Sequence, residues 1–175
     1  YNEPFCKSDL TIYNVVNTAP TGGTYVTTTG LSLDATTGDI NPSASEAGTY
    51  TVEYVIAAAN GCGEFRTPAS VTILPDFTVK FNFGCEGNNY KITAIVDSGI
   101  FPPSSTYVWT GVPSTFITTV DKPETITVVT NGVYKVVVTS PDGCTAENTY
   151  NATDVSWSIQ KGISRGNDDK NNCFD

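Results

Sequence analysis

Short runs rich in β-branched and aromatic residues recur along the chain, separated by clusters of Gly, Pro, Asn, Asp and Ser. That rhythm is the signature of strands joined by turns. It predicts strands over 10–16, 24–28, 49–56, 66–73, 78–83, 90–96, 106–110, 125–129, 133–139 and 145–150. In Tyr134-Lys135-Val136-Val137-Val138 the tyrosine and alternate valines face one way, so one face of that sheet is buried. Turns are expected at Thr37-Gly38-Asp39, Asn60-Gly61, Asn131-Gly132 and Asp142-Gly143, where Gly or Asn takes the positive φ of tight hairpins. No segment carries a helical stripe, so the fold class is all-β.

Three anchors recur in the same order in both halves, which is how a duplicated unit reads. Cys6 opens one half and Cys85 the other; Thr24-Tyr25-Val26 is matched by Thr106-Tyr107-Val108, with Trp109 and Gly111 following. Gly48-Thr49-Tyr50-Thr51-Val52 is echoed by Gly132-Val133-Tyr134-Lys135-Val136, and a Gly-Cys pair follows each, Gly61-Cys62 and Gly143-Cys144. Two tandem immunoglobulin-like β-sandwich domains follow, 1–75 and 76–154. The boundary is expected at Pro75, which cannot extend an internal ladder. Residues 155–175 form a third, separate segment.

Apolar residues make up 39% of the 175 and charged residues 15%, a balance suited to pleated strands. Nine basic against eighteen acidic residues give a net charge of −9, without the basic clusters that neutralise successive phosphates. Nucleic acid and anionic lipid are therefore not expected partners. No run is apolar for the roughly 20 residues of a spanning helix, and no basic-then-apolar leader stands at Tyr1. A soluble chain without direct membrane insertion, processed or cut from a longer one, is expected.

Five cysteines with no CxxC pair, and no histidine, point to disulfides rather than a zinc or iron–sulfur centre. The repeat selects Cys6–Cys62 and Cys85–Cys144, one bond inside each domain, and such bonds persist outside the cytoplasm. Cys173 is left over.

Absence of histidine rules out Ser/His/Asp and Cys/His catalysis within the chain. Ala94-Ile95-Val96-Asp97-Ser98-Gly99 resembles an aspartic-protease signature, yet that chemistry needs two such carboxylates and no second Asp-Ser/Thr-Gly occurs. Asp97 is read as a turn residue, and the chain as no enzyme. Trp109 is expected in the core, where sandwiches often bury an aromatic against a disulfide; Trp157 is left open. Asn151-Ala152-Thr153 fits the N-glycosylation pattern, a short match common by chance.

Beyond Asp154 the texture changes. Ile159, Lys161, Gly162, Ile163, Ser164, Asp168, Asn171 and Phe174 fall in place with the opening of the gliding-motility-associated C-terminal module, the type B sorting domain of type IX secretion substrates in Bacteroidota, which this segment resembles. Gln160 and Arg165 stand where that module has prolines. Pro4-Phe5-Cys6, Gly22-Gly23-Thr24, Gly30 through Gly38 and Gly48-Thr49-Tyr50-Thr51-Val52 are similar to repeats of Bacteroidota surface adhesins, and the second half to PKD-like domains. The resemblance implies export by the type IX translocon and outer-membrane sorting machinery, display on the cell surface, and a non-catalytic adhesive stalk, plausible in gliding motility, whose surface ligand is of polysaccharide type or unknown. The alternatives are the accessory stalk of a secreted hydrolase and a carbohydrate-binding module. No cofactor is expected; Asp168, Asp169, Asn171 and Asp175 make a weak calcium candidate, set against the commoner solvated acidic turn.

Overall fold

The computed structural model describes residues 4–15, 21–87, 89–97 and 104–153. The chain divides into two compact units, Tyr1–Asp76 and Phe77–Asp175, with the division one residue beyond Pro75. Trp157, the sorting-motif residues Ile159 to Phe174, Cys173 and the calcium candidates lie outside the described residues. Among the described residues strands dominate, and helix is limited to a 3-10 turn over Pro42–Ala44.

In the first unit β1 (Phe5–Cys6), β2 (Thr24–Val26), β3 (Gly48–Ile56) and β4 (Phe65–Leu74) form one sheet in the order β1-β4-β3-β2. β1 runs parallel to β4, and the other pairs are antiparallel. Alternate residues of β3, namely Tyr50, Val52 and Tyr54, turn inward with Tyr25, Val71, Ile73 and Phe5. The period-2 pattern of the strand thus becomes a core face. That face is covered by connecting segments joined through isolated bridges, Tyr13 with Ile40 and Leu33 with Ile40. The covering turn is fastened at buried Ser45, whose hydroxyl donates to the Asn41 carbonyl (2.7 Å) and accepts from the Ser32 N–H (2.9 Å).

Of the strand expected over 10–16, the described residues 10–15 form no ladder; they meet their neighbour through the Tyr13–Ile40 bridge, with both N···O distances 2.9 Å, and through the Asn14 carboxamide N–H, which donates to the Asp39 carboxylate (2.7 Å). The Asp9 carboxylate accepts the Thr11 N–H (2.8 Å) and the Tyr13 hydroxyl (2.5 Å), a local bonding pattern that competes with sheet pairing. Leu10, exposed, has no core to face.

The second unit is a two-layer sandwich. One layer is β5 (Val79–Glu86), β6 (Asn89–Val96), β9 (Lys122–Val128) and β8 (Phe116–Thr119), in the order β5-β6-β9-β8; the other is β11 (Thr145–Ala152), β10 (Gly132–Thr139) and β7 (Thr106–Val112), in the order β11-β10-β7. Naming these seven strands A to G along the chain gives sheets ABED and CFG, the arrangement of an immunoglobulin constant-type domain. Tyr134, Val136 and Val138 from β10 meet Tyr90, Ile92 and Ala94 from β6 and Ile126 and Val128 from β9, all buried. Burying one such aliphatic or aromatic side chain contributes about 1.5–3 kcal/mol.

Candidate functional site

The repeated Gly-x-Tyr-x-Val string becomes the same device twice. Tyr134, fully buried at the start of β10, donates its hydroxyl hydrogen to the Thr130 carbonyl (2.7 Å), four residues back. Tyr50, near the start of β3, does the same to the Glu46 carbonyl (2.8 Å). These are tyrosine corners: a phenol enters the core and its hydroxyl holds the chain that leads into the strand. The spacing was visible in the sequence, but the acceptor four residues upstream lies in an unpatterned loop.

Glycines on either side fit that geometry. Gly132 has ordinary backbone angles, not the positive φ expected for an Asn-Gly hairpin, because it belongs to the corner. A side chain there would sit 2.5 Å from the Val112 carbonyl oxygen. Close approach of β7 thus excludes any Cβ.

The cysteines correct the expected pairing. Cys6, Cys85 and Cys144 are disulfide-bonded, whereas Cys62 is a free, exposed thiol, so Cys6–Cys62 does not form. Register explains it: Cys6 lies beside Leu74 at one end of β4, and Cys62 precedes Phe65 at the other. Ten residues of strand separate the two ends by about 30 Å, against a Cα limit of about 7 Å for a disulfide. Cys85 and Cys144 are not partners either. Cys85 stands level with Tyr90 and Val128, where β9 leads into β10, while Cys144 sits in the β10–β11 turn at the far end of β10. That strand alone is about 25 Å long. Equivalent places in a sequence repeat did not mean adjacent places in the fold.

Trp109 is buried on β7, the central position of its repeat, with its indole N–H donating to the Pro123 carbonyl (3.0 Å) and its ring 5.9 Å from Phe81. The core placement is as expected; the neighbour is an aromatic cluster rather than a disulfide. Phe83 and Tyr150 continue it, with ring centroids 4.5 Å apart. The Tyr90 and Tyr150 hydroxyls lie 3.4 Å apart, and burial, with this contact second, pushes the Tyr90 phenol far above its usual range.

Asp97 ends β6 as a turn residue, its N–H bonded to the Thr78 carbonyl (3.0 Å) and its carboxylate paired with Lys80. Both side chains of that pair are more than half exposed, so it contributes little. Asn151 lies exposed on β11 opposite Val133.

A shallow, open depression of about 360 Å³ lies on the outer face of β5-β6-β9-β8, lined by Glu86, Lys91, Thr93, Thr119, Asp121, Lys122 and Thr125. The Thr93 and Thr125 hydroxyls bond at its floor (2.9 Å), and Lys91 pairs with Glu86 (3.2 Å). It carries two acidic and two basic side chains, Glu86 and Asp121 with Lys91 and Lys122. Among the described residues, no group of three or more His, Cys, Asp or Glu side chains is placed to hold a metal, and no helix is long and apolar enough to cross a membrane.

No family model matches the chain, and no curated protein matches it. Among solved structures, the full ectodomain (Ig1–Ig3) of mouse nectin-like molecule 4 is similar at 13% identity and TM-score 0.34, over 80% of this chain and 51% of that one. Extracellular domains 3–5 of Drosophila OTK align at 16% identity and TM-score 0.29, over 72% and 50%. SGBP-B of the Bacteroides ovatus mixed-linkage glucan utilization locus, in complex with a mixed-linkage heptasaccharide, aligns at 14% identity and TM-score 0.26, over 88% and 44%. The chain spans about half the length of these structures. Its class, an all-β tandem of immunoglobulin-like units, rests on its own sheet order and corners.

Proposed function

We propose that this chain is a non-catalytic stalk segment of a secreted cell-surface adhesin, exported through the type IX system by a sorting module that opens at Val155. The observation that supports it most is the serial construction: two compact β units in one chain, each locked by a tyrosine corner at the same place in its repeat. Repeated units of this kind act as spacers that carry a binding region away from a surface. Three half-cystines suit an oxidising compartment. The residues most suggestive of chemistry have structural employment, Trp109 in the core and Asp97 in a turn with Lys80. The sorting assignment rests on Ile159, Lys161, Gly162, Ile163, Ser164, Asp168, Asn171 and Phe174.

The decisive experiment fuses residues from Val155 through the natural C-terminus to a reporter carrying an export signal, in a host competent for type B substrates. Arrival of the reporter on the cell exterior is expected. Retention in the periplasm sinks the type IX reading. Applying the 175-residue chain to a glycan array separates the stalk from a carbohydrate-binding module: the stalk reading expects no selective glycan binding.

A further inference from the structure

We infer that Asn60 is a site of spontaneous covalent modification, deamidating through the Gly61 nitrogen while the second Asn-Gly pair of the chain, Asn131-Gly132, is protected by the fold. The sequence contains Asn-Gly only at these two places. Both carry the same intrinsic chemistry, because glycine puts no side chain in the path of its own nitrogen. The difference between them is structural.

Asn60 and Gly61 are the two central residues of the β3–β4 hairpin, closed by the Cys62 N–H bonding to the Ala59 carbonyl (2.9 Å). Both have positive φ, 52° and 82°, as a type I′ turn requires. Residues 57 to 64 are all exposed, and open space surrounds the Gly61 α-carbon. Among the described residues no hydrogen bond holds the Asn60 carboxamide or the Gly61 N–H. Asn131 is tethered instead: its carboxamide N–H donates to the Thr153 carbonyl (2.6 Å), and Gly132 is clamped against β7 by the Val112 carbonyl. Swinging the Asn131 carboxamide onto the Gly132 nitrogen requires breaking that bond and opening the corner.

In the reaction the Gly61 amide nitrogen attacks the Asn60 side-chain carbonyl carbon. A C–N bond forms, the bond from that carbon to Nδ2 breaks, and ammonia leaves carrying the amide proton. The resulting succinimide is opened by solvent water at either carbonyl, giving aspartate or isoaspartate. Each event adds one negative charge to the hairpin; the isoaspartate product also lengthens the backbone by one methylene between β3 and β4. Ageing would therefore mark the exposed end of the first unit and leave the second unchanged.

The test is peptide mapping by mass spectrometry of the full chain, incubated at mildly alkaline pH and 37 °C, with ammonia release followed in parallel. Native protein is expected to deamidate at Asn60 on the order of tenfold faster than at Asn131, or more, because Asn131 reacts only through local opening. In denaturant the two rates should converge. Asn60→Gln should abolish the fast phase of ammonia release, and Asn131→Gln should leave it intact. Equal native rates, a faster Asn131, or a rate difference that survives denaturation would each overturn the inference.

Discussion

Removing one oxygen atom from Tyr134 tests the corner most directly. In Tyr134→Phe the ring stays in place, fully buried, while the Thr130 carbonyl loses the donor it holds at 2.7 Å. A hydrogen bond of this kind contributes about 0.5–1.5 kcal/mol net, and leaving the acceptor buried and unpaired costs about 1–3 kcal/mol. Thr130 is half-buried and its hydroxyl, 3.3 Å from the phenol, has another partner in Thr115 (2.7 Å), so water reaches the carbonyl in part. The expected loss is about 1.5 kcal/mol. For a unit of this size that lowers the midpoint of thermal unfolding by about 6–12 °C. The assay is urea or thermal unfolding followed by Trp109 fluorescence, in a Trp157→Phe background so that one indole reports. Ile92→Ala in the adjoining core should cost about 2–5 kcal/mol, a scale for the measurement. If Tyr134→Phe unfolds within about 0.3 kcal/mol of the parent while Ile92→Ala falls as expected, the corner is not a fastening and the reasoning fails.

Thiol labelling of native protein should modify Cys62 and spare Cys6, Cys85 and Cys144 until reductant is added; Cys62→Ser should change stability by less than about 0.5 kcal/mol, whereas Cys144→Ser should cost about 2–5 kcal/mol in denaturant titration. Gly132→Ala should destabilise the second unit by about 1–3 kcal/mol, since its Cβ meets the Val112 carbonyl oxygen at 2.5 Å. The Tyr13 hydroxyl holds Asp9, and the Thr37 and Thr36 N–H groups hold Asp34, below the ordinary carboxylate value of about 3.9. Their folded values are depressed, so their stabilisation is present above about pH 4 and is lost as pH falls through the folded values. Thermal melts against pH should show that acid-side slope, reduced in Asp9→Asn. Asp97→Asn should shift stability by no more than about 1 kcal/mol, and neither it nor the parent should cleave peptide substrate at acid pH.

Legibility in the sequence followed periodicity. β3, β6, β10 and their neighbours were readable because Tyr50, Val52 and Tyr54 alternate with polar residues at strand period, and Tyr134, Val136 and Val138 repeat that period in a β-branched run. β8 was missed, since Phe116-Ile117-Thr118-Thr119 is four residues long and mostly exposed, with no alternation to read. β1 was missed for its brevity: two residues gain strand character only by pairing with β4, a contact some seventy positions away that no local pattern encodes. The error over 10–16 arose the other way, from an alternation of apolar residues in a segment whose Thr11 N–H and Tyr13 hydroxyl are bonded to Asp9 instead of to a neighbouring strand. Trp109 could be placed because its strand sits centrally in the repeat. The disulfides could not, because the repeat fixes order along the chain and not which strand end a cysteine occupies.

The parallel pairing of β1 with β4 bears on how the first unit carries load. These are its first and last strands, joined at Phe5–Ile73 and Cys6–Leu74 and by the Lys7 N–H bonded to the Leu74 carbonyl (3.1 Å). A pull through both ends of the unit drags the two strands past each other along their length, so these bonds are strained together. An antiparallel pair pulled from adjacent ends would instead unzip one bond at a time. In the proposed stalk, tension along the chain would meet the first unit fastened in shear at the point where force enters it.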